Sequence, residues 1–355
     1  MRARSGLLFA VIALIAGLWA GVVRLGWALP TLRTLPSAHG PLMVVGFVGA
    51  LISLERAVAL RSRWGYLAPA LATAGAILEA FGISVGASIA LAGSIVLGAL
   101  YLSAMRQQLS WPIVIMGIGG GCWAIGNLLW ALGKTLLSVV PWWGAFLVLT
   151  IAGERLEMAR LRRPSPIARA LFMGSFTMLM GGLALTLTHF DLGVRIFSAG
   201  MGALALWLLR YDVAWRTIRQ KGLVRFIAIS LLMGYFWLGV AGVLGMLWGG
   251  QTAGLFYDAM WHAIFVGFVF SMIFGHAPVI FPAVLKVRLP FTPSFYGPLA
   301  LLHLSLAVRI LGDSLAWIAG RQWGGLFNVL AILFFFANMA RVALGAAILH
   351  RSRPR

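Results

Sequence analysis

Four histidines stand among apolar residues and are the side chains best suited to chemistry: His39, His262, His276 and His303. A neutral imidazole can bind a metal, carry a proton or bridge two hydrogen-bonding groups. His39 lies in S-A-H-G-P-L-M-V-V-G-F-V-G-A. Read as a helix, its face continues through Gly46 and Ala50, small residues that admit a helix or a flat macrocycle. Asp258 precedes His262 by four residues, which puts the carboxylate on the imidazole's face, where it could orient a metal-bound ring. Two such imidazoles on opposed helices suit axial ligation of a haem iron, or part of a copper site. The alternative is two histidines capping helix ends in the headgroup region. His276 follows His262 by 14 residues, about 21 Å along a helix, and so cannot share an iron with it. His303 is expected near mid-bilayer, either as a hydrogen-bonded packing residue or as a ligand. His189, beside Asp191, and His350, in a basic tail, read as solvated surface groups.

Glu55, Arg56, Glu154 and Arg155 form a second constellation. Ser53 to Arg63 and Ala152 to Arg162 both fit E-R-x4-R-x-R and are 99 residues apart. With His276 they are expected to make a charged layer near the cytoplasmic side, because charges persist in lipid only when paired. That layer is either a structural network, a proton path or a second ligand site. The run Gly117 to Gly126 has glycines but no preceding strand, so it is read as close helix packing and not as a phosphate loop.

All these residues need positioning elements, and the composition says which kind. With 61% hydrophobic residues and 10% charged ones among 355, the chain is too apolar for a water-soluble surface. A soluble enzyme is excluded. The formal charge of +20 comes from bases placed singly or in short clusters between apolar runs, which is the positive-inside pattern and not a nucleic-acid face. The single cysteine, Cys122, allows no intramolecular disulfide and no CxxC motif.

A spanning helix needs about 20 apolar residues, and twelve runs qualify. They extend roughly over 5–27, 39–60, 65–84, 86–104, 111–132, 136–158, 166–188, 192–209, 223–248, 255–285, 293–311 and 317–349. Barrel strands would alternate apolar and polar residues, and these runs do not. The expected fold is therefore an all-α polytopic membrane protein, with residues 1–355 as one transmembrane domain. The first run, after Met-Arg-Ala-Arg, is long and lacks a clear cleavage site, so it is taken as helix 1. With the N-terminus inside, all the bases except Arg24, Arg33, Lys134, Arg195, Arg309 and Arg321 fall on the cytoplasmic side. Both termini are then cytoplasmic, in a bacterial inner membrane. The motif step of four helices, from 2 to 6 to 10, suggests three four-helix arcs with those three helices innermost.

A-H-G-P-L-M-V-V-G-F-V in run 2 and W-H-A-I-F-V-G-F-V-F-S-M-I in run 10 resemble the corresponding motifs of the NnrS family, as does G-E-R, Gly153 to Arg155, in run 6. The layout resemblance covers the whole chain, and the motifs cover about 40 residues. Ser37 replaces the first histidine of that family's H-A-H, and the family's glycine-histidine end of helix 10 is altered. NnrS proteins are similar in layout to the catalytic subunit of haem-copper oxidases. The resemblance implies a haem, b-type, with copper as an additional metal, and His39 and His262 as ligands with Asp258 behind them; His276 and His303 are weaker metal candidates. It also implies a role in nitric oxide metabolism or nitrosative-stress protection and a membrane or periplasmic redox partner. Dioxygen reduction is not expected, because runs 6 and 7, where the oxidases bind copper, contain no histidine. The competing expectation is a proton-coupled transporter of a small solute or ion, using Glu55, Glu154, His276 and Asp258.

Overall fold

The computed structural model describes residues 2–159 and 165–351, with side chains from 4 to 158 and from 165 to 348. Every apolar run is a helix, and no strand occurs among the described residues. In chain order the helices are α1 (Arg2–Arg24), α2 (Pro41–Ala59), α3 (Leu67–Ala80), α4 (Val85–Gln107), α5 (Trp111–Ala131) and α6 (Leu136–Ala159). They continue as α7 (Pro166–Leu185), α8 (Phe190–Tyr211), α9 (Gly222–Trp248), α10 (Leu255–Leu285), α11 (Tyr296–Ser314) and α12 (Ile318–Arg351). Eleven are long and apolar enough to cross a membrane; α3, at 14 residues, is the shorter one. A 3-10 turn, Trp64–Tyr66, leads into α3, and Gly82, with φ +77°, lies just past its end. Both bounds lie inside the apolar run, which hydropathy alone cannot divide. The protein is thus a polytopic all-α membrane protein.

The chain forms two compact units, Met1–Glu157 and Met158–Arg355. In the first, α3 and α4 touch backbone to backbone: a Cβ built on Gly75 would lie 2.5 Å from the Gly86 carbonyl oxygen. The glycine run of α5 makes room instead for aromatic side chains, with Gly126 against Trp143 and Gly120 against Tyr101. In the second unit, a Cβ on Gly200 of α8 would lie 2.5 Å from Leu179 N of α7, and one on Gly324 of α12 would lie 2.5 Å from Arg309 N of α11. Lipid supplies no hydrophobic drive between helices, so such close approach through small residues provides the attraction.

These sealed hairpins, α3–α4, α7–α8 and α11–α12, recur every four helices. The helix preceding each hairpin follows the same period. The most enclosed windows belong to α2, α6 and α10, at 67%, 78% and 67% buried, against 33% to 56% for the other spans. Within these three, Phe47, Phe146 and Phe268 each stand eight residues before Glu55, Glu154 and His276, and Ile52, Ile151 and Ile273 stand three before them. All three phenylalanines have no exposed surface. A period of four in enclosure and side chains supports repeated arcs; sealing is not restricted to that period, since a Cβ on Gly242 of α9 would lie 2.7 Å from Gly202 N of α8.

Two of the inner helices are not regular. Pro41–Gly49 in α2 and Ala263–Val269 in α10 are π-helical, and each is followed by ordinary α-helix. Both contain V-G-F-V, Val45 to Val48 and Val266 to Val269. The glycine in each takes a bulky or tight neighbour: Gly46 meets the Cβ atoms of Ala13 and Ala76, and Gly267 meets Trp237. A π segment of this length is rare and concentrates at functional sites. Each here begins within two residues of a candidate histidine, His39 or His262.

Candidate functional site

His39 lies at the mouth of α2, half-buried, with its ring against Gly21 of α1; a Cβ there would come within 2.9 Å of the imidazole Cε1. Its Nδ1 is 2.8 Å from the Gly17 carbonyl oxygen. A carbonyl can only accept, so Nδ1 carries the hydrogen and the neutral ring has its lone pair on Nε2. This is the tautomer that a backbone carbonyl imposes on metal-binding histidines. The small-residue face of α2 is filled at Gly46 by α1 and α3. Of the two neighbours that face could take, it receives helices and not a macrocycle.

His262 ends the first α segment of α10, where the i−4 carbonyl of Asp258 accepts from Nδ1 at 2.8 Å and Asp258 Oδ1 lies 3.3 Å away. The expected carboxylate-imidazole pair is therefore present, with the same tautomer as His39. Its Nε2 accepts from Arg309 Nη2 at 3.1 Å. Arg309, on α11, also gives Asp258 Oδ2 two hydrogen bonds, from Nε at 3.0 Å and Nη2 at 2.8 Å. Arg321, on α12, places Nε 3.0 Å from Asp313 Oδ1 and Nη2 3.8 Å from Asp258 Oδ1. Two guanidinium and two carboxyl groups thus cluster between α10, α11 and α12. Asp313 is 1% exposed and Arg309 7%.

Sequence reasoning took Arg309 and Arg321 only as bases on the outer side and passed over Asp313. The signal was available: Arg309 and Asp313 are four apart inside an apolar helix, and intramembrane charges are functional candidates by default. What the sequence did not show is that Arg309 bonds both Asp258 and His262, since those partners lie 51 and 47 residues away.

His303 on α11 is hydrogen-bonded through one ring nitrogen. Trp237 Nε1 donates to its Nδ1 at 2.9 Å, so the neutral ring carries its hydrogen on Nε2 and the lone pair is spent on tryptophan. His276 has Nδ1 2.8 Å from the Met272 carbonyl oxygen, one helical turn back, and is half-buried. His189 is exposed, and the His350 side chain lies outside the described residues. Among the described residues no group of three or more His, Cys, Asp or Glu could hold a metal ion.

In the first unit one pair of the expected charged constellation is in contact. Arg56 Nη2 lies 3.6 Å from Glu154 Oε1, joining α2 to α6, and the Arg56 guanidinium carbon sits 5.3 Å from the centre of the Tyr101 ring. Arg155 is buried and Glu55 half-buried; Arg160 and Arg162, which complete the second motif copy, lie outside the described residues. Glu154→Gln removes the partner of Arg56, and a thermal midpoint lowered by several degrees in detergent is the expected result. An unchanged midpoint would show that the Tyr101 ring suffices for this guanidinium.

The model of one protein family matches residues 2–344 and is described as a domain of unknown function, DUF8744. The chain belongs to the DUF8744 family. No curated protein and no solved structure matches this DUF8744 chain significantly.

Proposed function

We propose that this DUF8744 protein is a haem-binding integral membrane protein acting in nitric oxide metabolism or nitrosative-stress protection, with His39 and His262 as iron ligands. The observation that supports the reading is the backbone carbonyl behind each ring, which holds His39 and His262 as Nδ1–H; at His262 the Nε2 lone pair accepts from Arg309. The donor chemistry therefore fits a haem. A bound haem would supply a redox-active iron able to take nitric oxide. The chain's own part is to orient each ring from behind, through Gly17 at His39 and Asp258 at His262. Arg309 would compete with a bound iron at His262, because its guanidinium donates to the Nε2 lone pair. The π segments beside both histidines and the period of four helices are consistent with the haem-copper-oxidase-like layout. The wider setting proposed is a bacterial inner membrane with both termini cytoplasmic and a membrane or periplasmic redox partner, on the strength of the basic-residue bias.

The test is an absorption spectrum of the purified protein with metal analysis. A Soret band that shifts when nitric oxide is added to the reduced protein is the expected result, and the iron-to-protein ratio reads the number of haems. A colourless, metal-free preparation would remove the proposal. It would favour the second reading, a proton-coupled transporter, whose specific support is the Asp258, Arg309, Asp313 and Arg321 group, two of them buried and two half-buried; intramembrane charges of this kind mark ion and proton pathways.

A further inference from the structure

The connection between α8 and α9 is short, basic and built. Arg210, Arg216, Arg219, Lys221 and Arg225 are all exposed within 16 residues, and the one acid among them, Asp212, has no exposed surface. Asp212 is spent inside the turn, where its Oδ1 accepts the Ala214 N–H at 2.7 Å and starts a one-turn helix, Ala214–Thr217. Successive backbone bonds continue that turn, from Ile218 N to Ala214 O, Arg219 N to Arg216 O and Gln220 N to Thr217 O. Gly222, with φ +63°, then starts α9. The exposed Trp215 is tied by its indole N–H to the Leu209 carbonyl, and the Arg210 guanidinium carbon lies 5.3 Å from the centre of the Tyr211 ring. The segment therefore offers five positive charges, with no exposed carboxylate to neutralise them and two aromatic rings beside them, at the end of two membrane spans. A topology signal needs only loose bases in a loop. Here the loop is hydrogen-bonded into one shape, so little ordering entropy remains to be lost when an anion binds.

We propose that the turn from Arg210 to Arg225 is a binding site for the phosphate of an anionic phospholipid. The phosphodiester is negative and sits at the depth where spans end. Arginine forks match its oxygens, and tryptophan and tyrosine rings settle among headgroups. A basic cluster immediately beside a span attracts anionic lipid by about fivefold in affinity per residue. The site lies within the second unit and is independent of the haem reading.

The test is mass spectrometry of the intact full-length protein, released from micelles doped with equal phosphatidylglycerol and phosphatidylcholine. Selective retention of phosphatidylglycerol is expected, and the triple variant Arg216→Ala, Arg219→Ala, Lys221→Ala should weaken it on the order of a hundredfold. These side chains are exposed, so folding should persist; a single Trp215→Ala variant should weaken retention less. The control is Lys286→Ala with Arg288→Ala, exposed bases elsewhere in the same unit. Equal retention of the two lipids would overturn the proposal, as would a loss of about twenty-five-fold in the control pair, the same per charge, which would reduce the effect to net charge. Displacement of the lipid by inorganic phosphate at the same concentration would assign the site to a free oxyanion and would also overturn it.

Discussion

Arg309→Ala should be the most destabilising single substitution outside the helix backbones, lowering the thermal midpoint of the detergent-purified protein by on the order of 10 °C. The guanidinium is 7% exposed and makes two bonds to Asp258 Oδ2 and one to His262 Nε2. Removing it leaves two carboxylates facing one guanidinium in a low-dielectric site, and breaking a buried pair costs about 3 to 5 kcal/mol. Snorkelling gives little relief, because the group already lies between α10, α11 and α12. Arg309→Lys keeps the charge but not the fork, so an intermediate loss is expected. The double variant Asp258→Asn, Arg309→Met removes one charge of each sign and should recover part of the stability. If Arg309→Ala leaves the midpoint unchanged, or the double variant only adds the two single losses, the ions do not act as a group.

The second large effect is spectroscopic. His39→Ala should abolish or strongly shift the Soret band of the haem-loaded protein, and His262→Ala should do the same, whereas His189→Ala and His303→Ala should leave the band in place. His303 is the sharper control, because it is a buried intramembrane histidine whose Nδ1 is committed to Trp237. Arg309→Ala adds a separate reading: with no guanidinium competing for His262 Nε2, haem loading per folded protein should rise if that nitrogen binds iron. A band indifferent to both His39→Ala and His262→Ala would end the ligand assignment, even with haem present.

Much of the fold was legible because a bilayer makes simple demands. About 20 apolar residues are needed for each crossing, and among the described residues eleven of the twelve runs read from composition are helices long and apolar enough to cross, the exception being the shorter α3. The period of four was visible in the two E-R-x4-R-x-R ends. The stronger form, Phe and Ile at fixed distances before Glu55, Glu154 and His276, emerged only once enclosure singled out α2, α6 and α10. The Asp258–His262 and Arg56–Glu154 pairings were also within reach, the first through helical spacing and the second through the demand that buried charges be paired.

The tertiary structure decided the rest, for a consistent reason. Hydropathy reports how apolar a segment is, not what its side chains meet. It could not show that α3 is too short to match the other spans, or that α2 and α10 widen into π turns at glycines that take Ala13, Ala76 and Trp237. Nor could it show that the Gly46 face receives helices. Tautomers lay beyond it as well. His39, His262 and His303 look alike in a string of apolar residues, yet a carbonyl behind the first two and an indole N–H on the third assign their lone pairs oppositely. Arg309 shows the limit most plainly. Its residue type marked it as a basic group near one end of a helix, but its role depends on bonds to residues 51 and 47 positions away, and only packing sets contacts of that range.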